Sequence, residues 1–238
     1  MQGTNLKARW REHFAEVPER LAAMSRVGRV ISAFNTNIDA VRKVSGAELA
    51  SLIAETGLSP AALAADGTRV IRGPKDLVRG LFRCFAGGIA EEWLIADPDT
   101  FAWARRRLAT DRLQMAGQAG IVANALSVCG VGDVLVHCAS LPADQARLFA
   151  DRDNLRSTDG GGRLVKAHGI DRPDPPMIHW ILEFDGGDVA PASGAPVRCP
   201  KSNRFIATYD PMNLRLEVEP GFAAAASGLP CDLVVLSG

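Results

Sequence analysis

"RVGRVISAFNTNIDA", residues 26–40, carries a short apolar run that is bounded by Gly28 and closed by Asn35. A β-branched run of this length without polar alternation suits a strand buried on both faces, as in a parallel sheet covered by helices. In open sheets of that kind ligands gather at the carboxyl ends of strands, so the residues after Phe34 are the first place to look for a site. Asn35, Asn37 and Asp39 stand there at i, i+2 and i+4, a spacing that sends three polar side chains the same way if the chain stays extended. Asp accepts from hydroxyls while Asn both donates and accepts, which fits a polyol. An Asx turn capping a following helix would explain the same residues.

The rest of the chain repeats the alternation of strand and helix. Trp10, Phe14, Val17, Leu21 and Met24 recur at helical spacing, with Pro18 predicting two short helices or one kinked helix. Residues 47–65 read as helical, broken at Gly57-Leu58-Ser59-Pro60, where Ser59 is an N-cap with proline at the first helical position. Residues 76–85 and 101–108 read as further helices. Ile121, Val122, Ala125, Leu126 and Cys129 form an apolar stripe on a helix that ends at Gly130. "DVLVHCAS", "MIHWILEF", "NRFIATYD" and "CDLVVLSG" are strand-like, and Phe222 to Ala226 is helical. Between residues 151 and 198 glycine, proline and aspartate dominate, which predicts a subdomain of hairpins or a flap. The pattern is α/β with a mostly parallel sheet. Gly238 stands at the carboxyl end of the last strand with no helix left to cover it, so the sequence reads as cut short.

Composition excludes several classes of function. The 238 residues hold 27 basic and 27 acidic side chains, so no global field draws nucleic acid or anionic lipid. A 47% hydrophobic fraction is that of a folded globular protein. The start lacks an apolar leader, and no stretch is apolar for the roughly 18 residues a membrane span needs, which predicts a cytoplasmic protein. The five cysteines never form Cys-x-x-Cys pairs and predict buried free thiols. The four histidines lack metal spacing, so no structural metal is expected.

Other candidates each have two readings. Gly117 and Gly120 around Gln118 allow a ligand to approach the backbone at a helix start, or merely let the helix pack on the sheet. Of Glu91 and Glu92 in "GGIAEEW", one can reach a pocket, unless both are exposed helical acids. Arg204 opens a strand where a guanidinium can fork onto phosphate, and Lys166 follows "GGGRLV"; a surface salt bridge and a solvated lysine are the plainer alternatives. No Gly-x-Ser-x-Gly elbow or cysteine–histidine motif supports covalent hydrolysis.

Taken in order, "FNTNIDA", "GGIAEE", "MAGQAGIVANAL", "IHWILEF", "NRFIATYD" and "VVLSG" resemble the amino-terminal half of the ADP-dependent glucokinase and phosphofructokinase family, collinearly from about residue 31 to 238. The resemblance implies a ribokinase-like fold: a large α/β domain and a smaller β-rich lid, with lid segments at approximately residues 66–112 and 155–205. It implies transfer of phosphate from ADP to a hexose, glucose or fructose 6-phosphate, with release of AMP and help from magnesium. Asn35, Asn37, Asp39, Glu91, Gly117 and Gln118 would line the sugar site, and Arg204 and Lys166 would lie near phosphate. The catalytic aspartate of the family, in a Gly-x-Gly-Asp block, and the His-x-Glu block linked to magnesium are not found before Gly238. The expectation is therefore sugar contact without turnover, unless a second polypeptide supplies the remaining half. The alternative is a non-catalytic sugar-binding module or a decayed fragment of such a kinase.

Overall fold

The computed structural model describes residues 5–23, 27–65, 67–191 and 195–237. Helix α1 (Leu6–Ala23) precedes β1 (Arg29–Phe34), and only Asn35 and Thr36 separate β1 from β2 (Asn37–Lys43). Then come α2 (Gly46–Thr56), α3 (Pro60–Ala64), β3 (Val70–Ile71), α4 (Pro74–Gly87), β4 (Glu91–Ile95), α5 (Pro98–Arg107) and β5 (Arg112–Ala116). The chain continues through α6 (Gln118–Val128), β6 (Asp133–Val136), α7 (Ala143–Ala146), β7 (Leu155–Thr158) and β8 (Leu164–Lys166). It closes with β9 (Ile178–Phe184), β10 (Val189–Ala190), β11 (Val197–Arg198), β12 (Asn203–Tyr209), α8 (Pro220–Ser227) and β13 (Leu233–Ser237).

These strands form two principal sheets. The first has the order β13-β1-β6-β7-β8, parallel except for β8. Strand β1 lies inside it, between β13 and β6, which is why its sequence is apolar without alternation. The second is a mixed sheet of order β3-β4-β12-β9-β2-β5. Its strands do alternate: Ile38, Trp180, Leu182, Phe205 and Trp93 are buried on one face with α2 and α4, while Asp39, His179, Glu183 and Arg204 occupy the other. Edge-to-face contacts of Phe85 with Phe184 and of Trp93 with Phe205, at 5.6 and 5.5 Å between centroids, order this core. Each large buried side chain contributes roughly 1.5–3 kcal/mol.

The expected lid ranges, 66–112 and 155–205, differ from the strands of the mixed sheet. Strand β2 lies outside both ranges, whereas β7 and β8, inside the second, pair within the parallel sheet. The physical reason is that the residues after Phe34 stay extended and hydrogen-bond along both edges, to β5 and β9, instead of turning into a helix cap. Likewise Glu91 and Glu92 lie on a strand, not a helix.

Helix α6 also buries a different face from the predicted stripe. Ala119, Gly120, Ala123 and Ser127 face inward, while Ile121, Ala125 and Cys129 are exposed. Small residues win because the helix lies close on β1, where the Ser32 hydroxyl donates to the Ala119 carbonyl at 2.9 Å. Near the amino terminus α1 is one continuous helix with Pro18 inside it, its Leu6, Trp10 and Phe14 exposed; Met24 lies outside the described residues. The helix caps match their sequence signals: Ser59 accepts from the Ala62 N–H at 3.2 Å, with Pro60 at the first helical position. Cys84, Cys138 and Cys199 are buried free thiols as expected, but Cys129 is exposed. Burial raises the Cys84 thiol to about 12.

Candidate sugar-binding cleft

The chain passes between the sheets at Asn35-Thr36 and again at Gly117, and both crossings open on the same cleft of about 500 Å³. The cleft is lined by Asn35, Asn37 and Asp39, by Gly117 and Gln118, and by Arg204, six of the eight residues singled out from the sequence. Alternation explains the first group, because Asn37 and Asp39 fall on the open face of β2. Gly117 explains the second. Its φ is +74°, and a Cβ there would lie 2.3 Å from the Asn35 carbonyl oxygen, so a bare backbone is required where α6 meets the link from β1 to β2. The N-terminus of α6, with its partial positive charge, therefore opens at the cleft.

A chain of polar contacts crosses the floor. Asp39 accepts from the Gln114 amide at 3.4 Å and lies 3.9 Å from Nδ1 of His179, whose Nε2 is 3.3 Å from Asp210. The Asn213 amide donates to Asp210 at 3.0 Å and to Asn35 at 2.9 Å. Burial raises the Asp39 carboxyl above its ordinary 3.8, against the opposing pull of the Gln114 hydrogen bond and the nearby His179. Asn37 is fully buried, and neither its amide nitrogen nor its oxygen has a hydrogen-bond partner among the described residues. A buried primary amide left this way is costly, and a polar ligand or water is the ordinary remedy.

Two sequence candidates are placed elsewhere. Glu91 points to the packed side of its strand, its side chain 7% exposed, where it takes Trp93 Nε1 at 2.9 Å and pairs with Arg83 at 3.2 Å and Arg69 at 3.1 Å. Its neighbour Glu92 lines the cleft instead and accepts from the Thr208 hydroxyl at 2.7 Å. Alternation along β4 decides between them. Lys166 ends β8 in the parallel sheet and is held by Asp151 at 2.5 Å and Asp153 at 3.1 Å, beside a separate depression lined with Gly130 and Asn154.

His179, Gln114 and Glu183 are not singled out by the sequence reading, yet all line the cleft. The signal was present in "IHWILEF", whose even alternation puts His179, Ile181 and Glu183 on the less buried face. What strand-level reading lacked was the pairing that brings that face against Asp39, through the His179–Asp39 register of β9 and β2. The magnesium implied by the family resemblance finds no fit here: among the described residues no group of three or more His, Cys, Asp or Glu could hold a metal ion. Among the same residues no helix is long and apolar enough to cross a membrane.

Comparison with known proteins gives the same frame. An ADP-specific phosphofructokinase of Thermococcus zilligii is 30% identical, matching 88% of this chain and 47% of its own length. An ADP-dependent glucose/glucosamine kinase of Pyrococcus abyssi is 30% identical, matching 96% of this chain and 51% of its own. The structure of the last common ancestor of ADP-dependent phosphofructokinases from Methanosarcinales matches all of this chain and 50% of its own, with a TM-score of 0.73 at 24% identity. An ADP-dependent kinase in complex with fructose-6-phosphate and ADPbetaS also gives 0.73 at 24%, over 100% of this chain and 47% of that one. The chain thus spans about half the length of the relatives it matches. The family model for the ADP-specific phosphofructokinase/glucokinase conserved region covers residues 28–238, and the chain belongs to that family.

Proposed function

We propose that this chain forms the sugar-binding half of an ADP-dependent hexose kinase. One observation carries the reading: four segments distant in sequence, around residues 35–39, 114–118, 179–183 and 204, bring carboxylates, amides, an imidazole and a guanidinium onto one cleft. Such a mixture of donors and acceptors matches the hydroxyls of a hexose. Asp39 accepts hydroxyl hydrogen bonds, Gln118 both donates and accepts, and Gly117 lets the sugar lie against backbone. Arg204 supplies the cation for a phosphate, either on the sugar or on the donor.

The reaction in this reading is in-line attack of a sugar hydroxyl on the β-phosphate of ADP, releasing AMP. The aspartate that would take the hydroxyl proton is, by the resemblance, outside this chain, as is the magnesium site that neutralises the spreading charge. This chain's share is to bind and orient the hexose, which by itself reduces the entropic part of the barrier. Glucose and fructose 6-phosphate are the two candidate substrates, since relatives of both names match with 30% identity. Hexose phosphorylation of this kind belongs to glycolysis in the cytoplasm, a compartment that suits five free cysteines.

Titration calorimetry of the purified chain with glucose and with fructose 6-phosphate tests the proposal. Binding of one sugar that is lost in Asp39→Ala and Gln118→Ala is the expected result. Failure of the folded chain to bind either sugar at millimolar concentration overturns it.

A further inference from the structure

We infer that Asp210 is a positioning residue of the cleft: it holds a proton on Nε2 of His179, so that the bare Nδ1 is the nitrogen turned toward Asp39 and a bound sugar. The inference deepens the sugar-site reading and rests on it. Register places the three side chains. His179 on β9 stands directly across from Asp39 on β2 and, on its other side, from Thr208 on β12. Asp210 follows Thr208 by two residues, so alternation returns it to the same face, diagonal to the ring and away from Asp39. His179 lines the cleft, whereas Asp210, 7% exposed, does not.

Hydrogen-bond chemistry then assigns the proton. Both contacts of Asp210 with Asn213 come from donors: the backbone N–H reaches Oδ1 at 3.3 Å and the side-chain amide reaches Oδ2 at 3.0 Å. The same Oδ2 lies 3.3 Å from Nε2 of His179, within hydrogen-bond reach, while Nδ1 is 3.9 Å from Asp39 and outside it. A carboxylate only accepts, so the nitrogen beside it carries the hydrogen. In a neutral imidazole that leaves Nδ1 an acceptor. Among the described residues nothing donates to Nδ1, so His179 and Asp39 present two acceptors side by side on the cleft. A pair of adjacent sugar hydroxyls can donate one hydrogen to each. A turn cap alone does not account for the arrangement, since Oδ1 meets the Asn213 backbone N–H and Oδ2 is left for the ring and the amide.

Long-range nitrogen–proton spectra of the chain with isotope-labelled histidine, taken without sugar at about pH 8, above the ordinary imidazole range, read the tautomer; His179→Gln identifies the signals. The expected result is one tautomer with its proton on Nε2. Asp210→Asn, whose amide oxygen still accepts, should keep it, and Asp210→Leu should move the proton wholly or partly to Nδ1. Calorimetry with glucose and fructose 6-phosphate at the same pH should show affinity lowered at least about tenfold in Asp210→Leu and less than about threefold in Asp210→Asn. Adding Asp210→Leu to His179→Gln should cost no further affinity. Three results overturn the inference: a proton on Nδ1 in the unaltered chain, a tautomer indifferent to Asp210→Leu, or an equal loss of affinity from Asp210→Leu with and without His179. Should the leucine variant not fold, the unaltered chain and Asp210→Asn decide, and a proton on Nδ1 in either overturns it. The spectra need no sugar, so a chain that shows the expected tautomers and binds neither hexose refutes the sugar reading and leaves the hold of Asp210 on His179 in place.

Discussion

Gly117 and Asn35 touch backbone to backbone: a Cβ on Gly117 would stand 2.3 Å from the Asn35 carbonyl oxygen and 2.6 Å from its carbon. The same carbonyl accepts the N–H of Ala119 at 3.1 Å, so one peptide group of the link from β1 to β2 fixes the start of α6. With φ at +74°, Gly117→Ala adds backbone strain of about 1–3 kcal/mol to a clash with backbone that has no rotamer to escape into. The expected outcome is a fall in stability of at least about 2 kcal/mol in urea unfolding, with sugar affinity reduced more than tenfold in whatever remains folded.

Asp39 sets an acid limit on binding. Its carboxyl is raised above 3.8 by burial, and only the ionised form accepts from a sugar hydroxyl on both oxygens. Hexose affinity should therefore fall as pH drops through a value above 3.8, and Asp39→Asn should flatten that limb while weakening binding at neutral pH. Stability has the opposite sign. The folded state holds this proton more tightly than the unfolded chain, so the residue's contribution is greatest below 3.8 and shrinks as pH rises through the raised value. Calorimetry across pH 4 to 7 reads both trends.

Glu91 and Glu92 separate stability from binding within one dipeptide. Glu91→Gln leaves Arg69 and Arg83 beside a neutral amide and should cost about 1–3 kcal/mol, a thermal midpoint lower by about 3–8 °C, with sugar affinity changed less than about twofold. Glu92→Gln should do the reverse, lowering affinity about tenfold, or roughly 1.4 kcal/mol, at a small cost in midpoint. Thermal melts and calorimetry on the same two proteins check the pair.

Lys166 serves as the negative control. Its ammonium is paired with Asp151 and Asp153 away from the cleft, an exposed arrangement in which solvent screens the ion pairs. Lys166→Ala should leave the affinity for fructose 6-phosphate unchanged, and a loss of that affinity would contradict the placement.

Asp133 ties the parallel sheet together, bridging Arg29 on β1 at 2.7 Å and Arg156 on β7 at 2.6 Å. Burial pushes its carboxyl up, but the hydrogen bonds from Arg156 and Arg29 outweigh it, and the net direction is down from 3.8. A lowered carboxyl contributes stability above 3.8 that is lost as pH falls through the folded value. Asp133→Asn should cost about 1–2 kcal/mol at pH 7 and lose part of the acid sensitivity of unfolding.

Much of the architecture was legible because local signals and tertiary demands agree. Ser59 before Pro60 is a cap wherever it stands, and the apolar run ending at Phe34 suits only a doubly covered strand. What stayed open or was misjudged shares a cause as well. "FNTNIDA" fits both an extended segment and an Asx turn, and it is a strand because β5 and β9 hydrogen-bond to both its edges, partners that lie about 75 and 140 residues away along the chain. The face of α6 was misjudged because the larger apolar residues are not the ones that fit closest to β1.

By itself the sequence determined the α/β class, the helix caps and the polar residues placed after the first buried strand, since these follow from hydrogen-bond chemistry and periodicity within a few residues. Only the tertiary structure decided that Glu92 and not Glu91 faces the cleft, that Lys166 belongs to the far end of the other sheet, and that His179 stands between Asp39 and Asp210. The reason is pairing register: a side chain's face is fixed by its neighbours across the sheet, and those neighbours are distant in sequence.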